Sequence, residues 1–189
     1  MTTYFGFGLA DSMFPPACTL SRVQITIERA ITLVEGGVVS CLNPSHVATV
    51  GAIAMTGARP VFVDNGEDFT IDVTQIEKAI TPRTKAIMPV HLTGCPADMP
   101  AIMQIAERYK LIVIEDAAQA ILATIDGKSV GSWGAAAGFS LHPLKNLNVW
   151  GDAGVSVTRS PAIDHQLRLY RNHGLTNRDE VELWGHNCR

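Results

Sequence analysis

The chain has 189 residues, 15 Lys plus Arg against 18 Asp plus Glu for a formal charge of −3, and is 47% hydrophobic and 17% charged. That balance excludes an intrinsically disordered chain and leaves no basic surface for nucleic acid or an anionic membrane. One domain is the default at this length, and the low charged fraction suggests apolar surface meant for a partner subunit or a further segment. No uninterrupted apolar run reaches the roughly 18 residues of a membrane span, and the start MTTYFGFGLADSMFPPAC lacks the basic residues of a signal peptide. A cytoplasmic protein is the expectation. Cys18, Cys41, Cys95 and Cys188 are scattered with no C-x-x-C, so reduced thiols are expected rather than a zinc site or a disulfide frame.

From Val38 onward, short apolar runs alternate with amphipathic stretches, the pattern of βαβ units and a largely parallel sheet. In chain order the pattern predicts a strand over 38–42, a helix over 47–56 stopped by Gly57, and a strand over 60–64. Asp72 followed by Gln75 resembles a capping box and opens a helix to Ile80, ended by Thr81 and Pro82. A strand over 85–90, a helix over 98–109 and a strand over 111–115 follow, the last apolar enough for burial on both faces. Asp126-Gly127 marks a turn, 138–141 and 155–158 read as short strands, and Ser160-Pro161 opens a helix through Tyr170. Residues 171–189 read as irregular and polar, with no internal repeat or interdomain linker anywhere.

Parallel sheets bind ligands beyond the carboxyl ends of their strands, which gives priority to His46, His91, Asp116, Gln119 and the 140–148 loop. Three common motifs fail there. Gly127-Lys128-Ser129 ends like a phosphate-binding loop, but Leu122 stands where its first glycine must be. Gly138-Phe-Ser-Leu-His142 lacks the final glycine of a hydrolase nucleophile elbow, and no G-x-G-x-x-G follows a strand. Taken alone, Asp116 is as well explained as a helix cap, and Lys145 as a solvated lysine.

Together they form a more specific pattern. Pro60-Val-Phe-Val-Asp64, Ile80-Thr-Pro-Arg-Thr-Lys-Ala-Ile87, Pro89-Val-His-Leu-Thr-Gly94, Pro96-Ala-Asp-Met99, Ile114-Glu-Asp-Ala-Ala-Gln-Ala120, the Ser140-x-His-Pro-x-Lys-Asn146 loop and Arg171-Asn-His-Gly174 follow in order. In this order they resemble the DegT/DnrJ/StrS family of pyridoxal-phosphate-dependent sugar aminotransferases. The resemblance covers residues 36–189 and implies a three-layer α/β/α fold with a mostly parallel sheet, the large domain of the type I (aspartate aminotransferase) class. Residues 1–35 stand as an atypical N-terminal segment with nothing matching the family's phosphate-binding helix start. The chain also stops before the family's smaller C-terminal domain, so a truncated product is expected.

The resemblance implies pyridoxal 5′-phosphate as cofactor and assigns the residues. Lys145 matches the lysine that joins the cofactor aldehyde and then shuttles a proton. Asp116 matches the carboxylate beside the pyridine nitrogen, where an opposite charge at about 4 Å is worth roughly 4 kcal/mol at an effective dielectric of 20, or about three pKa units. Gln119 matches the partner of the phenolic oxygen, Ser140 a phosphate-binding hydroxyl, and His46 the residue whose ring stacks on the cofactor face. A helix-start histidine is the plainer alternative for His46, and His91 and His142 are neighbours without an assigned role. Asn187 matches an asparagine that reaches the phosphate in a neighbouring subunit, which implies a homodimer with composite sites. In that segment His186 and Cys188 replace the usual aromatic and serine. The expected reaction is transfer of an amino group, from glutamate, to a nucleotide-linked keto-sugar. The alternative is a non-catalytic remnant that pairs with a full-length homologue. Lys145 speaks against the family's dehydratase branch, which carries histidine there. No metal site is expected.

Overall fold

A computed structural model of the chain describes residues 2–8, 37–41 and 47–187, with side chains described from Ala48 onward. Seven strands of the described residues form the main sheet: β1 (Thr2–Gly8), β2 (Gly37–Cys41), β3 (Arg59–Val63), β4 (Thr84–Met88), β5 (Ile112–Asp116), β8 (Ala136–Ser140) and β9 (Asp152–Thr158). Between β5 and β8 lies a two-stranded ribbon of β6 (Thr124–Ile125) and β7 (Lys128–Ser129). The sheet order is β1-β9-β8-β5-β4-β2-β3. Neighbours from β8 to β3 are parallel, and β9 alone runs against both its neighbours, β8 and β1.

Among the described residues four helices cover the sheet: α1 (Val47–Met55), α2 (Val73–Ala79), α3 (Met99–Tyr109) and α4 (Pro161–Arg171). Side chains of successive strand residues point to opposite faces, and the two cores sort accordingly. Ile87 and Val113 pack with Ile76 of α2 and with Ile102, Ile105 and Ala106 of α3. Ala86, Met88 and Ile114 pack on the other face with Ile53 of α1 and Leu167 of α4. The result is the expected α/β/α sandwich with a mostly parallel sheet. Burial of each such Ile or Leu contributes roughly 1.5–3 kcal/mol, so β4 and β5, with cores on both faces, are the best-anchored strands.

Local chemistry sets the element ends. Asp72 caps α2 by accepting from the Thr74 N–H at 2.9 Å. Gln75 completes the motif differently from a capping box: its Nε2 donates to the Asp72 carboxylate, because the Asp72 N–H is already donated to the Asp64 carbonyl. Asp98 and Ser160 cap α3 and α4, each followed by a proline in the first turn where no intrahelical N–H is needed. Asp126 and Gly127 both adopt positive φ, 50° and 75°, the twist a two-residue hairpin turn requires.

The strand bounds differ from expectation at β8 and β9, which begin at Ala136 and Asp152 instead of 138 and 155. Their first residues, Ala-Ala and Asp-Ala-Gly, carry little β-propensity, and pairing within the sheet recruits them. β1 was not expected either, and pairs along its whole length with β9. Residues 172–187 are irregular as expected, folded back by short bridges between Asn172 and Asn187 and between Leu175 and Val181. Among the described residues no helix is long and apolar enough to cross a membrane.

Candidate active site

Because β4, β5 and β8 are neighbours, their carboxyl ends converge on one edge of the sheet. Asp116 ends β5, directly opposite Gly138 of β8, and Ser140 ends β8 two residues later. The loop after Ser140 carries Lys145 before the chain returns in β9. Four of the six residues singled out in the sequence therefore share one edge. Strand alternation sets Glu115 and Asp116 on opposite faces.

Asp116 is 1% exposed and faces the α1 side. Its Oδ2 accepts the Thr49 hydroxyl of α1 at 2.6 Å, and its Oδ1 accepts the Ala118 N–H at 3.1 Å. Its main chain is tied as well, N–H to the Pro89 carbonyl and C=O to the His91 N–H. Gln119 is half-buried, and its Oε1 accepts the Thr93 N–H at 2.7 Å. Thr93 has φ 51°, uncommon for a residue with a Cβ, in the short turn Leu92–Gly94. With its amide oxygen so engaged, Gln119 presents Nε2 as a donor. Ser140 is buried, and its Oγ accepts the His142 N–H at 3.3 Å, which leaves the hydroxyl proton to be donated elsewhere. Lys145 is half-buried, its backbone N–H bonded to the His142 carbonyl, and its ammonium makes no ion pair among the described residues.

Glu115 and His91, both fully buried on the α2 and α3 side, form a second polar cluster. The Glu115 carboxylate accepts the N–H groups of Gly131 (2.7 Å), Trp133 (2.9 Å) and Gly134 (2.7 Å), with His91 Nε2 at 3.3 Å. His91 Nδ1 accepts the Ala97 N–H at 3.0 Å, which assigns the ring proton to Nε2 and makes the imidazole a neutral donor to Glu115. Burial pushes the Glu115 pKa up most strongly, but the bond from His91 and the Gly134 and Gly131 N–H groups together hold it below its ordinary value. This cluster carries no reacting group. It fixes the loop that delivers the chain into β8, and both glycines are required: a Cβ on Gly134 would stand 2.5 Å from the Val113 carbonyl oxygen, and one on Gly131, at φ 81°, 2.6 Å from the Phe139 ring.

The other two predicted residues are not part of this group as described. Asn187 is exposed and bridges Asn172 beyond α4, and His46 is outside the described residues. His142 belongs to its own loop, Nδ1 accepting the Leu144 N–H and Nε2 standing 3.8 Å from Asp152. Thr49 was missed by sequence reasoning, since a threonine near a helix start carries no distinguishing signal. Glu115 had one: a charge inside a buried apolar strand requires partners.

The donor set suits an aromatic ring bearing a ring nitrogen, a phenolic oxygen and a phosphate. Asp116 offers an acceptor, Gln119 and Ser140 offer donors, and Lys145 offers an amine. Among the described residues no group of three or more His, Cys, Asp or Glu side chains could hold a metal ion.

Comparison with known proteins finds the same fold and related sequences. The fold matches Helicobacter pylori PseC, an aminotransferase of pseudaminic acid biosynthesis, with TM-score 0.89 over 100% of this chain and 49% of that one, at 24% identity. It also matches Streptomyces venezuelae DesV in complex with a ketimine intermediate, with TM-score 0.84 and 36% identity over 97% of this chain and 53% of that one. Bacillus subtilis NtdA with bound cofactor PMP gives TM-score 0.81 at 35% identity, over 89% of this chain and 39% of that one. Among curated relatives, the UDP-N-acetyl-3-dehydro-alpha-D-glucosamine 3-aminotransferase of Acidithiobacillus ferrooxidans is 46% identical over 162 residues, 85% of this chain and 44% of that one. The dTDP-3-amino-3,4,6-trideoxy-alpha-D-glucose transaminase of Streptomyces venezuelae is 46% identical over 149 residues, 77% of this chain and 41% of that one. The chain thus spans under half the length of these curated relatives. The family model for DegT/DnrJ/EryC1/StrS aminotransferases matches residues 25–189, eleven residues further toward the N-terminus than the resemblance read from the motifs. By that match and these relatives, the chain belongs to the DegT/DnrJ/EryC1/StrS aminotransferase family.

Proposed function

We propose that this chain is the cofactor-binding part of a pyridoxal-phosphate-dependent aminotransferase that moves an amino group, from glutamate, to a keto group on a nucleotide-linked sugar. One observation carries the reading: Asp116, Gln119, Ser140 and Lys145 stand at one sheet edge, each with the hydrogen-bonding capacity its part requires. Bound pyridoxal phosphate would supply an electron sink for the bond broken at the amino donor's α-carbon.

The chain's own groups do the rest. Asp116, fixed in orientation by Thr49 and Ala118, accepts the N–H of the pyridine nitrogen and keeps that proton in place. Gln119, anchored through its oxygen on Thr93, donates from Nε2 to the phenolic oxygen. The Ser140 hydroxyl donates to a phosphate oxygen. Lys145 would hold the cofactor at its aldehyde carbon and, as a free amine, would carry a proton between the amino donor's α-carbon and the cofactor. His46 stacks on the ring, and Asn187 of one copy contacts the phosphate held by a second. Leu144, Trp150 and Trp184, which are 87%, 106% and 92% exposed, support a homodimer in which a second copy covers them.

The test is spectroscopic. Titration of the chain with pyridoxal phosphate should produce a visible absorption band that Lys145→Ala removes and that appears only at higher cofactor concentration in Asp116→Asn. No change of spectrum on adding the cofactor to the unsubstituted chain would overturn the reading.

A further inference from the structure

Thr49 is buried to 1% exposure in the first turn of α1, where a hydroxyl needs a partner, and it reaches across 67 residues of sequence to the Asp116 carboxylate. At 2.6 Å its O–H donates a short, charge-assisted hydrogen bond to Oδ2. The Ala118 N–H takes the other oxygen, Oδ1, at 3.1 Å. Two donors on two different oxygens, one from α1 and one from the main chain after β5, help set the carboxylate plane.

We infer that Thr49 is a positioning residue that holds Asp116 in the orientation needed to meet a pyridine nitrogen. The inference rests on the assignment of Asp116 to that nitrogen and adds a function for α1. A carboxylate meets an N–H well only when a lone pair in its own plane points at the hydrogen, so a side chain free to turn would meet it in only part of its orientations. The Thr49 bond removes that freedom before any ligand arrives, and the ordering free energy is then not drawn from cofactor binding. Because Thr49 lies three residues after His46, the same bond fixes the first turn of α1 directly after the residue proposed to stack on the ring.

The experiment is a double-mutant cycle on cofactor affinity, read by absorption titration, with thermal melting of each cofactor-free chain alongside. Thr49→Val removes the donor at nearly constant volume and should raise the dissociation constant of pyridoxal phosphate about tenfold, the loss expected for one hydrogen bond to a charged group. Thr49→Ser keeps the donor and should stay within about threefold of the unsubstituted chain. In an Asp116→Asn background, Thr49→Val should have little further effect, a result that a purely structural role for Thr49 would not give. Should Thr49→Val fail to fold, Thr49→Ala in the same cycle decides the matter. Equal affinity of Thr49→Val and the unsubstituted chain, or an undiminished Thr49 effect in the Asp116→Asn background, overturns the inference. If the unsubstituted chain binds no cofactor, or Asp116→Asn binds as well as it does, the assignment of Asp116 fails instead, so the two failures are distinguishable.

Discussion

The carboxyl end of β5 and the loop from Leu141 to Gly151 meet at the same sheet edge but are built on opposite principles. At β5, two consecutive carboxylates are buried to 1% exposure and every described oxygen on them has a donor, Glu115 on one face of the sheet and Asp116 on the other. In the loop, Leu144 and Trp150 are almost fully exposed, and the bonds made are local ones: Leu144 and Lys145 to His142, and Val149 to Leu141. The contrast teaches that the strand end is complete in this chain, whereas the lysine loop leaves apolar side chains and an amine for something else to engage. Substitutions at Glu115 and the groups around it should therefore register as stability, and substitutions in the loop as binding.

The sharpest way to break that contrast is Glu115→Ala. It leaves three N–H groups and His91 without their acceptor inside the core, and should cost about 4 kcal/mol or more, enough to threaten folding; urea denaturation checks it. Gly134→Ala comes next, because the new methyl meets the Val113 main chain, at 2.5 Å from its oxygen and 3.0 Å from its carbon, and this backbone has little room to yield. A loss of roughly 1–3 kcal/mol is expected in the same assay.

A smaller effect separates charge from packing. The Glu115 pKa is lowered in the folded chain, so its ionised form contributes stability that is fully present above its ordinary value of 4.5 and is lost as the pH falls below that value through the lower folded one. Denaturation midpoints measured from pH 7 down to 3 should fall over the acid part of this range, and Glu115→Gln should start lower and fall less. The smallest effect belongs to the loop: Lys145→Ala should change stability by no more than about 0.5 kcal/mol, its ammonium having no ion pair to lose among the described residues, while removing the visible band of bound cofactor.

What the sequence made legible follows from which signals are local. Periodicity located the four described helices, and the caps at Asp72 and Ser160 and the Asp126-Gly127 turn could be read because each is a matter of a few adjacent residues. The first residues of β8 and β9 could not, because alanine and glycine adopt extended structure there only through pairing with distant strands, and β1 was not expected because its partner β9 lies about 150 residues further along the chain. The site divides the same way. Asp116, Gln119, Ser140 and Lys145 sit in short motifs whose order along the chain carries the family resemblance. The Thr49 to Asp116 bond, the Glu115 nest and the anchoring of Gln119 on Thr93 join residues between 16 and 67 positions apart, visible only once strand order is known.

The most direct test of the central claim, that Lys145 and Asp116 hold one cofactor ring between them, is borohydride reduction of the chain loaded with pyridoxal phosphate, followed by peptide mass mapping. The account predicts that the added cofactor mass resides on Lys145 and that its yield drops in Asp116→Ala. Cofactor mass on Lys78, Lys85, Lys110 or Lys128 in place of Lys145, or a yield indifferent to Asp116, would contradict it.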